Sequence, residues 1–337
     1  MVPHCFRDPD VVELVRKQFR SPAPALIVED KYGSRLCLVR EDARTYAYFV
    51  SPFDAGIELA ARAPSEVRAD DLLSDLADRL LEAVRPHRDL LVKIRIPGWF
   101  FDSHPHALLE PFLLKGFTVE MDIWERVVDL RAEPEAILAR CETMTRRKIR
   151  HGLKADVKWR VHHGEPVPET LMQALYEAAV TTRVASGARL KHPPEAYLRD
   201  RRFLIERGRA ALGVLEHGAF TGYLLALVSE ELGFYFDGAW SGTPSDFGNH
   251  LLHYRMMCFL RELGCPRYVV GTVLPDIMSR SEKISNMARF KHGLGADLVP
   301  VYVLTLARES RVGRVVARVR RSPLGPFVGR LRRLAGP

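Results

Sequence analysis

Residues 281–304 read SEKISNMARFKHGLGADLVPVYVL. A run with helical character closes on Arg289-Phe290-Lys291, Gly293 and Gly295 follow, and a Val-rich stretch comes after them. Glycine supplies the positive φ that swings a chain out of a helix, so the stretch reads as helix, glycine turn, strand. Two cations are thereby delivered to the last helical turn with an aromatic between them. They suit the negative end of the helix dipole, as at any ordinary helix end. The same cluster is also a compact place to hold a phosphate or a developing oxyanion.

Working outward, the chain reads as two half-chains of similar element order. The first has short strands at 25–28, 35–39 and 45–50, then a helix at 70–84 with Leu72, Leu73, Leu76, Leu80 and Leu81 on one stripe. A strand at 90–96, a helix at 106–115 and a strand at 117–128 complete it. The second begins with a basic helix over 134–155 and a strand at 157–161. Helices at 170–185 and 194–207 follow, then strands at 211–215, 220–228 and 232–240. A helix at 247–263 with Asp246 as N-cap, a strand at 267–270, a helix at 276–290 and a strand at 298–304 end the unit. The repeated order suggests duplication of one fold, each copy with its own mixed sheet, although no residue-level repeat is visible. We expect units over residues 1–130 and 131–307 and a separate tail over 308–337.

Length and composition fit two ordinary soluble domains: 337 residues, 47% hydrophobic and 27% charged. No apolar run approaches the length that crosses a bilayer. The N-terminal MVPHCFRDPD lacks the basic and apolar regions of a signal peptide. Five scattered cysteines with no C-x-x-C point to a reducing compartment, hence a cytoplasmic protein. His104, His106, His162 and His163 lack the spacing of a zinc site, and no metal is expected.

The net charge of +8 is local. From Arg308 onward there are nine arginines and one acid, so the other 307 residues balance 41 basic against 41 acidic side chains. Val312, Val315, Val316 and Val319 form one stripe of this tail, and Leu324, Phe327, Val328, Leu331 and Leu334 another, with arginines beside both. Such faces fit a helix lying in an anionic membrane interface, at the inner face of a membrane. Arginines also suit an RNA backbone, and a helix packed on the body with its arginines in solvent is the plain alternative.

The motif F-K-x-G-x-G at Phe290, Lys291, Gly293 and Gly295, before a terminal strand, resembles the signature near the end of FemAB/FemX-type transferases, which carry paired GNAT folds. Arg146-Arg147-Lys148-Ile149-Arg150, ahead of 157–161, resembles that family's R-x-x-I-R helix entering the second domain. The strands at 212–215, 222–228 and 234–240, the helix at 248–264 and the strand at 268–271 fall in its order. The match covers about residues 130–305; residues 20–130 match only in element order.

The resemblance implies an α/β protein of two tandem GNAT-like units that transfers an acyl or aminoacyl group to an amine. The donor would be an aminoacyl-tRNA or acyl-CoA, with no permanently bound cofactor. The acceptor would be a peptidoglycan or sugar precursor or a metabolite. Lys291 would stabilise donor phosphate or oxyanion, with Phe290 positioning it and Arg289 beside them. Folds of this kind work where central strands part, which draws attention to Tyr235 and Asp237, the latter as a proton acceptor. Tyr254 and Arg255 lie on the helix where a coenzyme A enzyme would show its pyrophosphate motif, and 243–250 lacks that motif. Arg183 and Arg189 flank a loop that would face donor or acceptor phosphates. A coenzyme A-dependent N-acyltransferase and a non-catalytic, membrane-tethered GNAT-like pair remain the alternatives.

Overall fold

The computed structural model describes residues 26–29, 35–40, 45–47, 57–58, 69–86, 90–98, 105–187, 190, 193–217, 220–230, 232–241, 246–273 and 282–308. The amphipathic tail, Arg189 and the start of the 276–290 helix lie outside them.

The first half comprises β1 (Leu26–Glu29), β2 (Arg35–Arg40), β3 (Thr45–Ala47), β4 (Ile57–Glu58), α1 (Ala69–Val84), β5 (Leu90–Pro97), α2 (Pro105–Leu114) and β6 (Thr118–Asp129). The second opens with α3 (Pro134–Arg140), α4 (Thr143–Lys154), β7 (Lys158–His162), α5 (Glu169–Ala185) and α6 (Pro194–Glu206). It continues with β8 (Ala210–His217), β9 (Phe220–Val228), β10 (Gly233–Ser241), α7 (Gly248–Glu262), β11 (Arg267–Val273), α8 (Glu282–Gly293) and β12 (Asp297–Arg308). The series β1-β2-β3-α1-β5-α2-β6 is thus repeated as β8-β9-β10-α7-β11-α8-β12. Each copy holds a parallel pair, β3 with β5 and β10 with β11, flanked by antiparallel strands.

The halves do not keep separate sheets, as the sequence had led us to expect. They join in one sheet of order β1-β2-β3-β5-β12-β6-β11-β10-β9-β8-β7, with β4 beside β2. The last strand of each half is inserted in the other: β12 lies between β5 and β6, and β6 lies between β11 and β12. The exchange pairs two 12-residue strands that would otherwise each present an open edge.

Packing follows the periodicities. Leu73, Leu76, Leu80 and Val84 of α1 bury against Leu38, Val92, Ile94, Ile96 and the far end of β12 at Leu304. In the second half the sheet is covered on both faces. Leu251, Leu252, Met256 and Leu260 of α7 pack on one face. Met172, Leu175, Leu204 and Ile205 of α5 and α6 pack on the other.

Two local expectations are corrected. The 134–155 helix is broken at Cys141-Glu142, where both residues are extended with ψ near 147 and 150. The break lets the Glu142 amide donate to the Gly293 carbonyl at 2.9 Å and the Cys141 thiol to the Leu294 carbonyl at 3.5 Å. The N-cap of α7 is Phe247 rather than Asp246, with no side-chain cap.

Candidate active site

β10 and β11 pair only at Gly233–Tyr268 and Phe234–Val269. Beyond that point each strand turns away. β10 carries a bulge between Tyr235 and Asp237 against β9, and β11 shifts register between Val269 and Gly271 against β6. Bulges bend strands and raise local twist, and here they part a parallel pair. A cavity of about 780 Å³ opens in the gap. Its walls are Tyr223, Leu224, Tyr235, Gly238 and Trp240 from the sheet on one side and Val270 on the other. Thr182 of α5, Asn249, Leu252 and His253 of α7, and Asn286, Met287, Phe290 and Lys291 of α8 complete it.

Lys291 sits in the last turn of α8, and its Nζ donates to the Thr272 carbonyl at 2.9 Å. Burial lowers the pKa of this ammonium, and the buried Glu125 carboxylate of β6 partly offsets the shift. Phe290 packs edge-on against His250 at 5.0 Å and His253 at 5.3 Å between centroids. His253 is buried, stands 5.0 Å from the Tyr235 ring, and shares a 2.9 Å hydrogen bond between its Nδ1 and the Tyr268 hydroxyl. Burial, then His250 and Lys291, push its pKa down to about 3, so the ring is neutral in the ordinary pH range. The Tyr235 phenol is pushed up to about 12 by burial and the Asp237 charge. Trp240 donates through Nε1 to Asn249 Oδ1, and its backbone exchanges hydrogen bonds with the Thr182 hydroxyl.

Of the residues singled out from sequence, Lys291, Phe290 and Tyr235 meet at this cavity. The others lie elsewhere. The bulge sets Tyr235 opposite Ala226 and Asp237 opposite Leu225, so the two side chains lie on opposite faces of β10. There Asp237 Oδ2 accepts from Arg201 Nη2 at 2.6 Å and the Tyr197 hydroxyl at 2.8 Å, while Oδ1 accepts from the Gly238 amide at 3.0 Å. Arg183 approaches Asp237 only to 4.0 Å. Tyr254 faces Leu138, Cys141 and Ile149, with its hydroxyl on the Pro134 carbonyl, and its neighbour Arg255 also lies off the cavity. Arg289 is exposed and bonded to Asn286. Gly293 and Gly295 serve packing: a Cβ would stand 2.6 Å from Thr145 Oγ1 at the first and 2.8 Å from the Arg140 carbonyl at the second. The turn itself uses Gly295, at φ +74, while Gly293 stays helical.

His253, Trp240, Asn249 and Tyr223 were missed. The readable signal was the i, i+3 pair His250 and His253 on a helix that also carries Leu251, Leu252, Met256 and Leu260 of the core. Among the described residues no cluster of three or more metal-ligating side chains is present, and no helix is long and apolar enough to cross a membrane.

No family model and no curated protein matches the chain. Solved structures do. A crystal structure of FemX superposes with a TM-score of 0.65 at 14% identity, covering 86% of this chain and 89% of that one. The fold is that of FemX. The C-terminal domain of a putative lysylphosphatidylglycerol synthetase from Agrobacterium fabrum gives 0.59 at 16% identity, covering 94% and 93%. L-PGS from Bacillus licheniformis gives 0.55 at 13% identity, covering 93% and 96%. At these identities the likeness establishes the fold alone, a tandem GNAT-like α/β architecture.

Proposed function

We propose that this chain is an acyltransferase that moves an aminoacyl or acyl group from an activated donor to an amine held in the β10–β11 cavity. The observation that carries the reading is the meeting of Lys291, at the end of α8, with the gap between two parted parallel strands. The donor carbonyl enters that gap. The acceptor nitrogen attacks the carbonyl carbon, and Lys291 offsets charge on the carbonyl oxygen or a donor phosphate. An aminoacyl-tRNA is the favoured donor, because the start of α7 lacks the coenzyme A pyrophosphate motif in sequence. Acyl-CoA is the alternative. The likeness to lysylphosphatidylglycerol synthetase structures and the arginine-rich tail together favour chemistry at an anionic membrane surface, on a lipid-linked acceptor.

The test is a donor screen. Purified full-length protein is given charged tRNAs or acyl-CoAs with amine acceptors, with and without anionic vesicles. Turnover with an aminoacyl-tRNA that is lost in Lys291→Ala supports the reading. Turnover with acyl-CoA alone selects the alternative donor, and no turnover with either leaves a non-catalytic tether.

A further inference from the structure

We infer that His253 works as a neutral hydrogen-bond donor to the reacting carbonyl, in the tautomer that carries its proton on Nε2, with Tyr268 as its positioning residue. This rests on the acyltransfer reading and deepens it. Tyr268 is fully buried, and its hydroxyl has one partner among the described residues, His253 Nδ1 at 2.9 Å. A buried hydroxyl proton with no acceptor carries the penalty of an unmade hydrogen bond. That penalty is avoided when the tyrosine donates to an unprotonated Nδ1. The ring proton then sits on Nε2, which has no protein partner among the described residues, while the ring lines the cavity.

The surroundings keep this form. Tyr235 and Phe290 flank the ring, and the charged or titratable neighbours are His250 on α7, Lys291 on α8 and Tyr268 on β11. None is an acid that would draw a second proton onto the imidazole. A ring whose Nδ1 accepts and whose Nε2 donates is no general base, so its use is electrophilic. The acceptor amine donates its lone pair to the carbonyl carbon, and the carbonyl π pair moves to oxygen. The oxyanion accepts from His253 Nε2–H and the Lys291 ammonium. Collapse re-forms the carbonyl and expels the donor's ester oxygen, or thioester sulfur, which takes the proton the amine loses. His253 ends the cycle with the proton it began with.

Two measurements test this, one needing no substrate. The ¹⁵N shifts of the His253 ring in the full chain should show the neutral Nε2–H tautomer at pH 7, persisting to about pH 4, and Tyr268→Phe should mix the tautomers. The Nδ1–H tautomer or a charged ring at pH 7 overturns the inference. In turnover, His253→Ala should lose about 10²–10³-fold in kcat with little change in KM. His253→Gln, whose amide can donate but cannot act as a base, should stay within about tenfold of wild type. Equal loss in both variants, or none in His253→Ala, overturns the donor role while wild-type turnover still upholds acyl transfer. A wild type inactive with every donor, despite the Nε2–H tautomer, fails the underlying reading and removes the carbonyl His253 would serve.

Discussion

Gly271 makes room for Lys291: a Cβ at this glycine would stand 2.9 Å from the lysine Nζ. Gly271 also takes φ +124 at the β11 register shift, a conformation that only glycine adopts without strain. The bulge that parts the sheet therefore also admits the cation to the gap.

Lys291→Ala should lower turnover about 10²–10³-fold while shifting stability by no more than about 2 kcal/mol, since it removes one hydrogen bond and relieves a buried charge. Gly271→Ala should impair both, through backbone strain and displacement of Nζ. Kinetics and urea midpoints measured on the same samples separate the two. Full activity in Lys291→Ala would refute the role. Burial also lowers the lysine pKa, so activity that needs the ammonium should decline on the alkaline side before the 10.5 of a free lysine.

Asp237 should behave as an anchor. It is buried beside Arg201, and the guanidinium lies 3.3 Å over the Tyr197 ring. Removing one partner of such a pair strands the other charge, so Asp237→Ala should cost about 3–5 kcal/mol. Asp237→Leu combined with Arg201→Met should cost less than the sum of the two single changes. A stable Asp237→Ala that loses only turnover would return the residue to the chemistry.

How much of this was legible in sequence depended on whether a local period was interrupted. The α1 stripe and the β8–β9–β10 meander were readable because alternation and helical spacing persist through them. Plain alternation would put Tyr235 and Asp237, at i and i+2, on one face, and the extra residue Phe236 breaks that period where the site is built, which no local pattern announces. The Cys141-Glu142 break was hidden because its cause is a contact with Gly293 and Leu294, more than 150 residues away in sequence. The strand exchange was hidden for the same reason: β6 and β12 carry ordinary strand patterns, and nothing local says which neighbour each takes.

The histidines should make stability fall with acid. His253 titrates at about 3 and His250 at about 4 in the folded protein, against 6.5 unfolded, so protonation favours the unfolded chain. Their contribution is fully present above about pH 6.5 and is lost as pH falls toward 4 and 3, at up to about 1.4 kcal/mol per pH unit for each. Urea midpoints between pH 7 and 4.5 should drop less for His253→Gln than for wild type. Parallel curves would contradict the buried neutral ring.

Gly222→Ala should close part of the cavity wall. Gly222 pairs across the ladder with Trp240, and a Cβ there would stand 1.9 Å from the indole, so the ring must move. The expected cost is about 1–3 kcal/mol, with a change in Trp240 fluorescence that Trp240→Phe abolishes. An unchanged spectrum and midpoint would show that the indole does not rest on Gly222.

The tail should bind anionic lipid reversibly. β12 runs to Arg308 and pairs along β5 to Leu90, so a cut after Arg308 spares the strand while removing the two amphipathic stripes. Each basic residue near an anionic surface contributes about 1 kcal/mol, and that share weakens as salt screens it, whereas the apolar stripes are indifferent to salt. Full-length protein should co-sediment with anionic vesicles at low salt, less at high salt, and weakly with neutral ones. The shortened chain should stay in the supernatant. Equal sedimentation of both chains would place the lipid contact on the body, and binding of tRNA but not vesicles by the tail would assign the arginines to the donor.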